Sequence, residues 1–315
     1  MLFWDAASIA GGHVCERSHT LGSVTAETIT DKTLGQFLQS RRAKVSPSDV
    51  GLYEGRRRRV QGLRREELAV LAGLSTDYYA RLEQGRHGHP SPGVLDAVAD
   101  VLRLSTAERD YLHQLARPVA KPVHGEVVRP ETLTVMSAMG TTPVLLIGPY
   151  MDILASNSAA RQLYADFDAL PADGRNATRW MLTSPEARRL HGGEWAAIAA
   201  ELTGMMRLRF GRQPRDAVGQ RLVAGLCAES EFFRRVWLDQ TVATGNRPVK
   251  RFYHPEAGTI DVAVEILDVT NSSYGQHLVV FVPAPGSADE RAWRDVTSRT
   301  PGPGVTAITD MTGRG

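Results

Sequence analysis

The stretch Leu63–Arg86, LRREELAVLAGLSTDYYARLEQGR, constrains this chain more than any other. Two apolar patterns of helical period meet there at one glycine. Leu68, Ala69, Leu71 and Ala72 recur at helical spacing, and Tyr79 and Leu82 resume the pattern after Gly73-Leu74-Ser75. Gly73 stands where a helix has to end and the chain reverse, a place that needs positive φ, which glycine adopts without steric cost. Ser75 then offers the side-chain oxygen of an N-cap. A connection this short makes the two helices cross, which is the helix-turn-helix arrangement. The second helix turns Thr76, Asp77 and Arg81 away from the side that buries Tyr79 and Leu82.

The flanking sequence builds a small domain around that unit. LGQFLQSRRAK carries Leu34, Phe37 and Leu38 on one helical face, and Pro47, Gly51 and Gly55 break the pattern after it. Ser91-Pro92 reads as an N-cap followed by proline in the first helical position, ahead of Val94, Leu95, Val98 and Leu102. STAE, Ser105 to Glu108, is a capping box ahead of RDYLHQLA. Five helices are therefore expected in an all-α domain at 32–117. Its charge is uneven: nine basic residues oppose Asp49 and Glu54 from Leu34 to Arg65, whereas five basic residues oppose eight acidic ones from Glu66 to Arg117. The whole chain carries a net charge of only +2. A basic edge of this kind is an electrostatic footprint for an anionic partner.

The remaining sequence follows a different pattern. Residues 118–130 hold prolines without a period and read as a linker. Val144–Ile147 and Ile153–Ala155 are short apolar runs split by Gly148-Pro149, several helical patterns follow, and VKRFYHP, TIDVAVEILDV and QHLVVFVPAP close with strand character. Residues 131–284 are thus expected to form an α+β domain. Residues 1–31 read as a disordered leader and 285–315, rich in Gly, Pro, Thr and Arg, as a disordered tail.

The order of these motifs carries a resemblance. Leu63–Gly85, with Glu66, Leu68, Ala69, Ala72-Gly73, Ser75, Leu82-Glu83 and Gly85, resembles the XRE-type, lambda-repressor-like helix-turn-helix. The wider block from LGQFLQSRRAKVSPSDVG onward is similar to the MmyB-like bacterial transcription regulators, which insert a basic segment where this chain has Ser46–Gly62. The likeness continues through DILASNSAA, DFDALPADGRN, SPEARRL, ESEFFRRVW, KRFYHPEAGTI and GQHLVVFVPAPGS. It implies a multidomain regulator: a helix-turn-helix domain on double-stranded DNA, then a PAS-like domain that binds a small apolar, fatty-acid-like molecule. It also implies a homodimer on two half-sites, since one short helix reads few bases.

By that resemblance Thr76, Asp77 and Arg81 would read bases, Arg81 by a bidentate contact to guanine and Asp77 by accepting from a cytosine amino group. Arg65 would meet a phosphate by the same resemblance, and Arg64 beside it is a further phosphate candidate. The charge run Arg56, Arg57, Arg58 and Arg59 is open between phosphate contacts, an arginine inserted into the minor groove, and a solvated or subunit-facing loop. Tyr78 is open between a phosphate or thymine-methyl contact and simple packing. In the second domain Asn157, Arg175, Asn176, Arg251 and His254 are candidate anchors for a ligand's polar end. Trp180, Met181, Phe232, Phe233, Trp237, Phe252 and Val264 are candidate walls. Asn157 equally suits a helix cap, and His254 a hydrogen bond within its own turn. Ser156 and Ala263-Val264 depart from the aromatic and Asp-Tyr residues that many relatives carry.

Enzymatic motifs are few. There is no G-x-x-x-x-G-K-[ST] phosphate loop and no strand-placed G-x-G-x-x-G. His191-Gly192-Gly193 lacks the G-x-S-x-G elbow that would accompany an esterase oxyanion loop. Two cysteines, Cys15 and Cys227, form neither a disulfide framework nor a C-x-x-C zinc pair. His87 and His89 have no carboxylate or cysteine at metal-ligand spacing. No window approaches the roughly 18 apolar residues of a membrane-spanning helix. The expectation is a cytoplasmic, nucleoid-associated regulator that is not an enzyme, with no metal and no cofactor beyond a non-covalently bound apolar ligand. The alternatives are a DNA-bound scaffold whose second domain only dimerises or recruits partners, or an enzyme on a small lipid or metabolite.

Overall fold

The computed structural model describes residues 33–53, 60, 62–86, 90–117, 128–211, 213–214, 216–243, 249–269, 275–299 and 305–307. The expected leader, most of the linker and Arg56–Arg59 lie outside the described residues.

The five expected helices of the first domain are present: α1 (Thr33–Lys44), α2 (Arg65–Leu71), α3 (Thr76–Glu83), α4 (Pro92–Val101) and α5 (Thr106–Ala116). Gly73 has φ +67°, and the Ser75 hydroxyl accepts from the Tyr78 amide at 3.2 Å. The Ser105–Glu108 capping box forms in both directions. Phe37, Leu68, Tyr79, Leu82, Leu95 and Tyr111 are fully buried at the centre of one core.

The second domain opens with α6 (Pro130–Ala138), a helix that the sequence reading did not anticipate. Strands β1 (Val144–Ile147) and β2 (Ile153–Ser156) follow, then α7 (Ser158–Leu163), α8 (Ala177–Thr183), α9 (Pro185–His191), α10 (Trp195–Phe210), α11 (Ala217–Glu229) and α12 (Glu231–Leu238). Strands β3 (Val249–His254), β4 (Gly258–Asp268) and β5 (His277–Pro283) complete the expected strand set. All pairings are antiparallel, in the order β3-β4-β5-β1-β2, with a short β6 (Thr306–Ala307) added beside β2. Every residue of β1 and β2 is buried, because both faces of the sheet are covered. That is why these strands read as continuous apolar runs rather than as alternation. On one face Leu145, Ile147, Ile153 and Phe281 meet the helices; on the other, Val144, Leu146, Leu154 and Leu278 pack with Met136 of α6. The result is the α+β, PAS-like domain that was expected.

The expected disordered tail at 285–315 is corrected over its described residues, 285–299 and 305–307. Ala288–Arg299 forms a helix, α13, against β4 and β5, and Ala307 pairs with Ala155. The Ser287 hydroxyl accepts from the Glu290 amide at 3.0 Å. Trp293 and Val296 are only 4% exposed, and the Trp293 indole donates to the Thr141 carbonyl at 3.0 Å. Two apolar residues one turn apart suffice to bury this helix, and composition dominated by charge around them hid the stripe.

Candidate functional sites

The first site is the outer face of α3. Thr76, Asp77 and Arg81 are all exposed on it, whereas Tyr79 and Leu82, on the opposite side, are fully buried. Tyr78 is half-buried. This face is held by an ionic cluster centred on one shielded carboxylate. Glu83 ends α3 with its side chain 2% exposed and accepts from Arg42 Nε of α1 and Arg65 Nε of α2, each at 2.6 Å. Arg42 also donates to the Leu63 carbonyl at 2.7 Å. Burial opposes ionisation of Glu83, but hydrogen bonds from Arg42 and Arg65 outweigh it and hold the carboxyl below its ordinary range. A methyl group at Gly35 would lie 1.9 Å from the Glu83 carbonyl oxygen, so α1 and α3 cross in backbone contact. Arg65, expected at a phosphate, therefore has a bond within the protein that fixes α2 to α3. Arg64 is exposed at the start of α2, where its amide is capped by Glu67 at 2.7 Å.

The second site is a cavity of about 70 Å³ between the sheet and the helices. Leu145, Ile147, Ile153, Val279 and Phe281 form the sheet wall; Trp180, Met181, Ile198, Leu202 and Met205 form the helix wall. Tyr164 crosses its floor edge-on to Trp180, Phe252 and Phe281. Among the described residues, Lys250 is the charged side chain that lines it. Its ammonium lies 3.4 Å from Glu201, with side chains 9% and 11% exposed. Burial, reinforced by the charge on Glu201, raises the Tyr164 phenol well above its ordinary range, so it stays a neutral O–H group. Behind Tyr164 and Phe252 lies His191, whose titration burial and the Lys250 cation lower to about 4.

A helix-turn-helix domain model matches residues 33–112, and the model of the MmyB-like transcription regulator ligand binding domain matches 128–295, more than half of the chain. The chain belongs to the MmyB-like transcription regulators. A search among curated proteins returns no match. The MmyB-like match ends inside α13, which supports counting that helix with the domain rather than with a tail.

The expected polar anchors of the MmyB-like domain take structural places instead. Asn157 caps α7 through the Ala160 amide at 2.9 Å, accepts from Val144 and donates to the Thr142 carbonyl. Asn176 caps α8 and donates to the Tyr150 carbonyl and Asp152. Arg175 donates to the carbonyls of Leu170 and Asp168. Arg251 faces outward in a two-bond pair with Asp261, at 2.7 Å each. His254 accepts the Glu256 and Ala257 amides on Nδ1, so Nε2 carries the proton and donates to the Gln162 carbonyl at 3.0 Å. None of these five anchors lines the cavity; of the seven wall candidates, Trp180, Met181 and Val264 do. Phe233 and Trp237 stack on each other in the core.

Lys250 was missed, although the strand period contained the signal. β3 alternates exposed and buried, with Lys250, Phe252 and His254 inward and Val249, Arg251 and Tyr253 outward. Phe252 as an inward residue places Lys250 inward and Arg251 outward.

Proposed function

We propose that this MmyB-like regulator reads specific DNA through Thr76, Asp77 and Arg81, and that its second domain senses a small apolar, fatty-acid-like molecule. The observation that carries the reading is the exposed polar face of α3, standing on helices locked by Glu83. Such a face is complementary to a major groove, and Arg81 suits a guanine edge. Arg56–Arg59, Arg64, Arg65 and Tyr78 add phosphate contacts that carry no sequence information. The protein works as a homodimer in the cytoplasm, on nucleoid DNA. In the second domain the ligand's tail occupies the apolar cavity and its polar end meets Lys250. Methionines 151, 181 and 205 supply walls able to repack around different chains.

Selection of bound fragments from a random DNA pool tests the first half; absence of any enriched sequence would overturn it. Replacing Arg56–Arg59 by glutamine should lower the salt dependence of binding while leaving the selected motif unchanged. Native mass spectrometry of freshly purified protein tests the second half and gives the oligomeric state. A volume of about 70 Å³ is small beside the roughly 300–1,000 Å³ of most ligand sites. That favours, as a second reading, a domain that only dimerises or recruits partners. A retained amphiphile would exclude that reading, and a clean protein mass would support it.

A further inference from the structure

Occupying a cavity this small means moving a wall. The sheet wall is the stiff side, since β1, β4 and β5 are joined by continuous ladders. The yielding side includes α10, which places Ile198, Leu202 and Met205 on the cavity along one face. A flexible methionine at the end of that row is the side chain best able to move.

The same helix ends in the contact between the two domains. Two residues past Met205, Arg207 is 2% exposed, with its guanidinium 3.9 Å from the Trp237 ring centroid. It donates to Gln240 Oε1 at 2.9 Å and to the Trp237 carbonyl. The Gln240 carbonyl accepts in turn from Arg41 of α1. Beside it Lys44 pairs with Asp239 at 2.6 Å, and the Ser40 hydroxyl donates to the Asp239 carbonyl at 3.2 Å. Leu208 and Val242 pack on the apolar core of the DNA-reading domain. Two glycines make these approaches close. A methyl group at Gly211 would lie 2.2 Å from the Tyr111 ring of α5, and one at Gly204 would lie 2.7 Å from the Ala243 amide nitrogen. A shift of α10 therefore carries the turn after α12 with it, and that turn holds α1.

We propose that α10 transmits occupation of the cavity to the placement of the DNA-reading domain, with Arg207 as the positioning residue of the contact. The inference rests on the ligand-sensing reading of the second domain. It adds the route: the cavity wall and the domain contact are one helix, so a ligand that displaces Leu202 and Met205 biases the contact. The docked surface, on α1 and α5, leaves Thr76, Asp77 and Arg81 exposed. What changes is where the reading helix points relative to its partner in a dimer, not whether it is covered.

The test fills the cavity by substitution in the full chain and follows amide hydrogen exchange without DNA or ligand. Val279→Phe adds bulk to the cavity from the sheet side, and Val280→Phe adds the same bulk to the opposite face of the same strand. Val279→Phe should speed exchange of α1 and α5 amides about ten-fold over wild type, and Val280→Phe should leave them unchanged. Where Val279→Phe fails to fold, Ala177→Val fills the cavity more gently and should act in the same direction. In an Arg207→Met background, where the contact is already loosened, filling should add nothing. Unchanged α1 and α5 exchange on filling, or equal acceleration by Val280→Phe, would overturn the coupling. Neither depends on the DNA-pool or mass-spectrometry results, so failure of the functional reading is visible separately.

Discussion

Two arginines, half-buried Arg42 and buried Arg207, are held in different ways. Arg42 meets a carboxylate, Glu83, which also binds Arg65, and the three tie α1, α2 and α3 into one unit. Arg207, at the contact between domains, is held by a carbonyl, a side-chain amide and the face of an indole. Removing one partner of a buried ion pair strands a charge, which makes such a pair a permanent lock. Opening the contact around Arg207 leaves no carboxylate stranded with it and returns one cation to water. The first arrangement suits a rigid reading head, and the second suits a joint that moves.

The largest expected effect tests that contrast directly. Glu83→Ala leaves half-buried Arg42 without its counter-charge and should cost about 2–4 kcal/mol, seen as early unfolding of the first domain in denaturant. Arg207→Met removes the cation together with its hydrogen bonds and should cost less than half as much. Equal losses would erase the distinction between lock and joint.

Acid should separate the domains next. His191 titrates near 4 in the folded protein against an ordinary 6.5, so the unfolded chain binds its proton first. Stability of the second domain is therefore intact above about pH 6.5 and falls by about 3 kcal/mol as pH drops towards 4. Glu83 is shifted in the same direction, below its ordinary 4.5, so its contribution is likewise fully present above that pH and is lost only below it. Trp180, Trp195, Trp237 and Trp293 all sit in the second domain, so tryptophan fluorescence should report its loss first, and His191→Phe should flatten the slope. Loss of the first domain ahead of the second would contradict this order.

At the reading face, Arg81→Ala should flatten base preference by about 1–3 kcal/mol at one base position while leaving melting unchanged. The smallest effect belongs to the outward pair of β3. Arg251→Ala should alter neither the melting temperature nor any retained ligand, because its partner is exposed Asp261 rather than the cavity. Loss of a retained amphiphile in Arg251→Ala, measured by native mass spectrometry, would return that residue to the site.

The first domain was legible because its signals are local. The Gly73 turn, the caps at Ser75, Ser91 and Ser105, and the helical stripes all depend on residues within a few positions of one another. The five main strands of the second domain were legible for the same reason. α13 was not, because its burial depends on Trp293 and Val296 meeting strands far back in the chain. The anchor candidates take structural bonds because polar residues near a pocket seek the nearest unsatisfied backbone groups, as the sequence had equally offered for Asn157 and His254. Asn157 and Asn176 found helix ends, and Arg175 found carbonyls.

By itself the sequence determined the reading unit, the two-domain order and the strands that frame the cavity, since periodicity and capping act over one or two turns. Tertiary structure alone decided that Arg65 is bonded to Glu83, that Lys250 meets Glu201 at the cavity, and that α10 serves both cavity and domain contact. Each of those depends on which distant surface a side chain reaches once the core has closed. Burial fixes the partners of charged groups after packing, and no local pattern in the chain encodes that choice.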